Sequence, residues 1–236
     1  MEPSTERVVS KPLVYRNERK YALTNTDLGW VETVVRSHPS MFFRPFPARY
    51  INNIYFDTSS FENYNDNQLG SPLRHKFRIR WYGEQFGLIE NPVLEIKIKK
   101  GCSGAKRHFS LSPIVLKKGI SKTDLKTVFA NSNLPLEIQE SLKFLEPTLL
   151  NRYFRKYYLS ANRKFRVTLD TQLRYTRISS HQNYFLRIAK NDSDVVMEMK
   201  YDVEDDQAAG SVSSGFPFRL TKNSKYVNGV DHLDLW

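Results

Sequence analysis

Several segments of this 236-residue chain alternate charged and apolar residues with a period of two. In KFRIRWY (76–82), Lys76, Arg78 and Arg80 share one side of an extended chain, and the residues between them are apolar. Such alternation is typical of strands with two chemically different faces. The same pattern recurs in VYRNERKY (14–21), VLEIKIKK (93–100), RYFRKYY (152–158), KFRVTLD (164–170) and VVMEMKYD (195–202). The sequence therefore predicts at least six strands that each carry a charged face.

These charged faces are mainly cationic, with an isolated Glu on three of the strands. An open antiparallel sheet with one face in water would explain the alternation. Solvated faces, however, usually mix Thr, Ser, Gln and acids with the bases. The alternative is a closed barrel with the cations inside and helices outside. Because one buried unpaired ion costs several kcal/mol, such an interior needs counter-anions, which a bound polyphosphate would supply.

The overall charge also favours a polyanionic partner. Lys and Arg total 36 against 25 Asp and Glu, a formal charge of +11, so nucleic acid, anionic membrane and phosphate ligands all qualify. The chain lacks an RNP or helix-turn-helix signature, a P-loop and a GxGxxG turn, and we expect no nucleic acid. No secretory signal and no apolar run of roughly 20 residues is visible, so we expect no transmembrane segment. The single cysteine, Cys102, excludes an internal disulfide framework.

The chain is interpreted as one domain, residues 12–230, with a flexible leader (1–11) and a short tail (231–236). Helices are predicted after Thr26 or Asp27, after Ser121 or Thr123, and from Pro135 to Phe144. The acidic and then small-residue segment 203–215 predicts a long loop.

The alternating faces carry groups that suit phosphoryl transfer, which requires cations on nonbridging oxygens, a divalent metal and in-line positioning. Arg78 and Arg80 lie about 7 Å apart on a strand, so that each guanidinium could bind a different phosphate. Lys20 and Lys97 could act as point charges. Glu95 and Glu198 are candidate ligands for Mg²⁺ or Mn²⁺, although a Glu between cations is also commonly a simple charge partner.

Taken together, these segments resemble the vacuolar transporter chaperone (VTC) domain of the CYTH-like triphosphate tunnel superfamily, in the short stand-alone form known from bacteria. The resemblance implies an α+β, mainly β fold: an eight-stranded antiparallel barrel, the triphosphate tunnel, with flanking helices. It also implies a polymerase that transfers the ATP γ-phosphate to polyphosphate. The matching segments are RNERKY (16–21), YINNIYFDT (50–58), YND (64–66), FRIRWYG (77–83), LEIKIKKG (94–101), RYFRKYY (152–158), FRVTLDT (165–171), MEMKYD (197–202) and FPFRLTKNSKYVNGV (216–230).

The resemblance also implies functional roles for the residues at the matching positions of this chain. The implied catalytic cations are Lys20, Arg78, Arg80, Lys97, Arg155 and Arg166. The implied substrate-binding residues are Lys106, Tyr153, Lys200, Lys222, Ser224 and Lys225. The resemblance implies Glu198 as a ligand for Mn²⁺ or Mg²⁺, and Glu95 and Glu18 are further candidate metal ligands.

One position departs from the related hydrolases, which begin with ExExK: this chain has Arg16 before Glu18 and Lys20. Loss of the first Glu should weaken a second metal, a natural activator of water, and so favours transfer to phosphate over hydrolysis. An inorganic triphosphatase and a non-catalytic sensor of polyphosphate or inositol pyrophosphate remain alternatives. Expected partners are ATP, polyphosphate and a membrane-embedded protein, with the chain in the cytoplasm at the inner face of a membrane through that protein.

Overall fold

The structure is a computed structural model that describes residues 14–101, 103–179 and 182–235. The predicted leader and Cys102 lie outside the described residues. Eleven strands are formed within this part of the chain: β1 (Arg16–Leu23), β2 (Arg49–Asp57), β3 (Leu73–Tyr82), β4 (Gly87–Ile89), β5 (Val93–Lys100), β6 (Ser103–Ser110), β7 (Ile114–Leu116), β8 (Glu146–Leu159), β9 (Arg166–Arg177), β10 (Ile188–Asn191) and β11 (Val195–Asp202). The α-helices are α1 (Leu28–Arg36), α2 (Glu62–Leu69), α3 (Lys122–Ala130), α4 (Leu136–Lys143), α5 (Asp206–Ser214) and α6 (Lys225–His232).

Eight strands close into an antiparallel barrel in the order β9-β11-β1-β6-β5-β3-β2-β8, and β8 pairs back onto β9. Strand β10 extends the sheet beside β9, and β4 and β7 form a small separate sheet. The predicted eight-stranded barrel is confirmed. Its weakest seam lies between β1 and β6, which pair through Arg16 and Gly104 alone in the described part of the chain.

The apolar faces of the strands point outward, where helices cover them. One outer core joins Ile79 and Leu94 of the barrel to α3 and α4, and another joins Val167 and Met199 to α1 and α5. The three predicted helices are present as α1, α3 and α4. They begin at the expected caps: Asp27 accepts a hydrogen bond from the Trp30 amide, Ser121 forms a capping box with Asp124, and α4 follows Pro135.

The prediction of a long loop at 203–215 is wrong, because this segment forms a short 3-10 helix followed by α5. The small residues that suggested flexibility instead allow close packing on the barrel. Ala209 is fully buried, and the Ser213 hydroxyl lies 2.6 Å from that of Tyr21. At the start of the helix, the Tyr201 hydroxyl donates to Asp206 at 2.8 Å.

Helix α6 enters the barrel and fills part of its lumen. Tyr226 and Val230 pack against Leu149 and Tyr175, which point inward from β8 and β9. The approach is so close that a Cβ atom on Gly229 would lie 2.4 Å from Leu149 and 2.6 Å from Tyr175, which explains the glycine. The charged part of the lumen is therefore the part that α6 does not fill. The boundary placed after residue 230 falls inside this helix.

No helix of the described ranges is long and apolar enough to cross a membrane.

Candidate active site

The part of the barrel lumen that α6 does not fill is a chamber lined by cations. It is a cavity of about 80 Å³ that continues into a mouth of about 490 Å³ beside α2 and α6, here called the α6 mouth, and into an opening of about 310 Å³ at the β1–β6 seam. Two carboxylates, Glu18 and Glu198, line the chamber. Its nine cations are Lys20, Lys76, Arg78, Arg80, Lys97, Lys106, Arg155, Lys200 and Lys225.

The strand register places like charges directly opposite each other. Lys97 on β5 faces Lys76 on β3 and Lys106 on β6, and Arg74 faces Lys99 near the α6 mouth. Directly opposed like charges destabilise a sheet. Burial, reinforced by neighbouring cations, lowers the pKa values of Lys76 and Lys106 well below the usual lysine range. The chamber thus holds cations in an arrangement that a bound anion would stabilise.

Glu95 is enclosed by cations. Arg78 donates to its Oε2 through Nε at 2.9 Å and Nη2 at 2.5 Å, and Arg80 reaches Oε1 at 3.3 Å. Lys106 lies 3.3 Å and His108 3.5 Å from the same carboxylate. Burial raises the pKa of Glu95, but Arg78 and Arg80 outweigh it and hold the pKa far below the usual range. Glu95 is therefore a permanent counter-ion, and its oxygens are occupied by guanidinium groups rather than available to a metal.

Glu18 and Glu198 form a second acidic centre. They lie on adjacent strands and share Lys20, whose Nζ is 3.2 Å from Glu18 and 3.9 Å from Glu198. Lys97 contacts Glu18 at 2.6 Å, and Lys200 contacts Glu198 at 2.8 Å. Burial raises both carboxyl pKa values, but these lysines outweigh it and keep both groups ionised.

The third centre is a buried ion cluster around Asp170. Arg155 binds this carboxylate through Nε at 2.5 Å and Nη2 at 2.6 Å, and Lys225 lies 2.6 Å away. Tyr153 completes the cluster, because its hydroxyl accepts from Arg80 at 3.2 Å and Lys225 stands over its ring. Asp170 thus fixes two predicted phosphate-binding cations, Arg155 and Lys225.

The N-terminus of α6 is held at the chamber by a second set of bonds. Ser224 caps the helix and accepts a hydrogen bond from Lys76 Nζ at 2.6 Å. The Tyr226 hydroxyl donates to the fully buried Asp57 at 2.5 Å. Asp57 also accepts from the Asn63 and Tyr64 amides at the start of α2. This carboxylate therefore ties α2 and α6 to the end of β2.

Most of the predicted site residues meet in the chamber: Glu18, Lys20, Arg78, Arg80, Lys97, Lys106, Tyr153, Arg155, Glu198, Lys200, Ser224 and Lys225 line it, and Glu95 lies against it. Lys222 lies apart, exposed in the α6 mouth. Arg166 is exposed at the start of β9, and no ion pair among the described residues includes it. Its catalytic role stays a prediction from the resemblance.

The structure adds residues that the sequence reasoning did not place in the site. Lys76 and Asp170 occupy the same alternating faces as the predicted residues, so the period of two could have found them. His108 contacts Glu95 across the β5–β6 ladder, and only the strand register reveals this contact.

The barrel, its inward cations and its helix-filled end define a tunnel protein for anionic ligands. The VTC domain family model matches residues 15–234, so the chain belongs to this family. Among solved structures, HpAC1 from Hippeastrum, reported to have a dominant triphosphatase activity, is 13% identical with a TM-score of 0.52, covering 92% of this chain and 95% of that one.

Two further structures cover similar shares. An adenylate-cyclase candidate from Vibrio parahaemolyticus is 12% identical with a TM-score of 0.48 over 90% of this chain and 97% of its own. The PH1819 protein from Pyrococcus horikoshii is 10% identical with a TM-score of 0.47 over 91% and 98%. None of the curated proteins compared with the chain gives a significant match.

Proposed function

We propose that the chain is a polyphosphate polymerase that transfers the γ-phosphate of ATP to the end of a polyphosphate chain in this tunnel. The observation that carries the proposal is the chamber itself, in which nine cations converge and Lys97 faces a lysine on each side. Membership of the VTC family supports polyphosphate as the anion.

The triphosphate of ATP would occupy the chamber. Arg78 and Arg80, which are already oriented by Glu95, present guanidinium N–H groups to its nonbridging oxygens. Arg155 and Lys225 are held by Asp170 at a neighbouring position. Because these donors are fixed before substrate arrives, they can stabilise charge in the transition state without reorganisation.

In the proposed reaction, a terminal oxygen of the polyphosphate attacks the γ-phosphorus in line. The bond between this phosphorus and the β,γ-bridging oxygen breaks, and ADP leaves with the bond electrons. The acceptor is already anionic at neutral pH, so no base has to remove a proton from it. The residue at position 16 also supports transfer over hydrolysis. It is Arg16, which binds Asp202 at 2.9 Å, and not a glutamate that could act as a third carboxylate ligand for a second metal.

Glu18 and Glu198 are the residues that would hold Mn²⁺ or Mg²⁺. Within the described ranges no three His, Cys, Asp or Glu side chains cluster, so protein ligands alone do not complete a metal site. Two carboxylates sharing one lysine do fit a hard cation that takes its other ligands from phosphate and water. A cation bound there would neutralise phosphate oxygens. Glu95 fits this role poorly, because Arg78 and Arg80 bind its oxygens.

The test is incubation of the purified chain with ATP and Mn²⁺ or Mg²⁺, with gel resolution of polymer length. Long polyphosphate and ADP are expected. Lys20→Ala should abolish polymer synthesis without unfolding the protein, as checked by the circular dichroism spectrum. The matched control is Arg177→Ala, an exposed position outside the chamber lining, which should keep full activity. Polymer formation by Lys20→Ala at the wild-type rate would refute the assignment.

An inorganic triphosphatase is the second candidate, since the Hippeastrum relative in fold is reported to have that activity. In the same assay, orthophosphate without polymer would identify it. Tight binding of tripolyphosphate with no turnover would identify a sensor. The cytoplasmic location and the membrane-embedded partner remain predictions from the family resemblance.

A further inference from the structure

A second basic cavity lies on the outer wall of the barrel, away from the tunnel. Its volume is about 320 Å³. It is formed where β8, β9 and β10 lie side by side, with Gln85 from the turn after β3 at its edge. Arg152 on β8 belongs to this cavity, whereas its neighbour Tyr153 lines the chamber. The two cavities are therefore separated by the thickness of the sheet.

Three cations form a row across this outer wall. Arg152 is directly opposite Arg174, and Arg174 is directly opposite Lys190. Two strand spacings make the row about 10 Å long. No carboxylate lines the cavity; within the described residues, Arg174 pairs with Asp192, and neither Arg152 nor Lys190 has an acidic partner. Directly opposed like charges destabilise a sheet, and Asp192 offsets only one of these three charges.

The row is also partly pre-organised. The Arg152 guanidinium stacks on the Tyr50 ring at 4.0 Å, and the Tyr50 hydroxyl donates to Gln172 at 2.7 Å. Gln172 adopts a left-handed φ of 53° where the β8–β9 register shifts, an uncommon conformation for a non-glycine residue. Arg152 is thereby held with its N–H edge free, and less side-chain entropy is lost when it binds.

We propose that this outer cavity is a second binding site for an oligophosphate anion, independent of the tunnel. Two planar guanidinium groups followed by an ammonium match consecutive phosphate groups better than a single carboxylate, because each guanidinium can bind two oxygens at once. The ligand lies along the row from Arg152 to Lys190. The site does not depend on catalysis in the chamber.

The site is tested by titrating the full chain with inorganic tripolyphosphate in a calorimeter, without ATP or metal. Arg152→Gln/Arg174→Gln should bind one equivalent fewer than the wild type and keep the tunnel affinity within about twofold. The control is Arg177→Gln/Arg219→Gln, which removes the same charge from exposed positions outside the cavity and should keep the wild-type stoichiometry.

A second arm uses Lys20→Ala to weaken the tunnel site, and one equivalent should still bind. Its loss on adding Arg152→Gln/Arg174→Gln assigns it to the outer cavity. Unchanged stoichiometry in Arg152→Gln/Arg174→Gln would overturn the proposal, as would an equal loss in the control, which would indicate diffuse surface charge. Since only binding is measured, a failure of polymerase activity would leave this result unaffected.

Discussion

Replacing Glu95 with Gln separates the two roles that this residue could have, counter-ion and metal ligand. The amide keeps the shape of the side chain but removes its charge. Arg78, Arg80 and Lys106 then lose the carboxylate that lies 2.5–3.3 Å from their nitrogens. We expect Glu95→Gln to destabilise the empty protein and to bind tripolyphosphate more tightly than the wild type.

The magnitude follows from the burial of this cluster, in which the Glu95 side chain is 7% exposed. Breaking a buried ion pair costs about 3–5 kcal/mol. For a chain of this size, that range corresponds to a Tm lower by about 6–20 °C. A ligand at 100 times its Kd adds about 2.7 kcal/mol of stability, so a saturating phosphate anion should recover a large part of the loss.

The assay is thermal unfolding with and without tripolyphosphate, first without metal and then with Mn²⁺. The control is Glu137→Gln, which breaks an exposed pair with Arg107 and should lower stability by less than about 1 kcal/mol. A smaller ligand-induced rise in Tm for Glu95→Gln than for the wild type, found only with Mn²⁺, would identify Glu95 as a metal ligand and refute the counter-ion reasoning. An unchanged Tm of the empty protein would refute the energetic argument.

Three further measurements follow from the same geometry. Glu198→Gln should remove the dependence of tripolyphosphate binding on Mn²⁺; a binding curve still shifted by the metal would contradict its assignment. Burial, partly offset by Glu18, lowers the pKa of Lys97 from 10.5 to about 8, so the affinity for tripolyphosphate should fall as the pH rises above about 8. The stability contribution has the opposite sign: the unfolded chain binds more protons between these two pKa values, so Lys97 makes the empty protein more stable as the pH rises through that window. Tyr226→Phe removes a buried hydrogen bond to Asp57, which should lower the free energy of unfolding by about 1–3 kcal/mol. It should also raise the Kd for tripolyphosphate, because α6 positions Lys225. A lower Tm with an unchanged Kd would show that the bond is purely structural.

The period of two predicted six of the eight barrel strands and favoured an inward direction for their charges, with an open sheet as the alternative. Along β3, for example, Lys76, Arg78 and Arg80 point toward the chamber as the alternation required. Closure of the sheet could not be read from any single strand, because it depends on the pairing of β8 with β9. The pairing of each cation with its carboxylate could not be predicted either, since these contacts depend on the strand register.

Helices α5 and α6 were missed for a different reason. Their sequences are short and rich in small or polar residues, so local propensity gives little signal. Their stability comes from tertiary packing: Gly229 permits close contact with Leu149 inside the barrel, and Ser213 bonds to Tyr21 outside it. The position of Lys225 in the chamber follows from that packing, so the sequence could indicate the residue only through the family resemblance.

The charge balance of the chamber explains how a basic lumen can fold before its ligand binds. Nine lining cations meet four carboxylates, Glu18, Glu95, Asp170 and Glu198, so a positive surplus remains. Burial limits that surplus by lowering the pKa values of lysines such as Lys76 and Lys97, whereas carboxylate partners raise the pKa values of Arg78 and Arg155 and keep them charged. The paired arginines are thus fixed donors, whereas Lys76, Lys97 and Lys106, whose pKa values burial lowers, can take up protons as anionic charge enters. A phosphate chain would complete a charge arrangement that the carboxylates only partly satisfy.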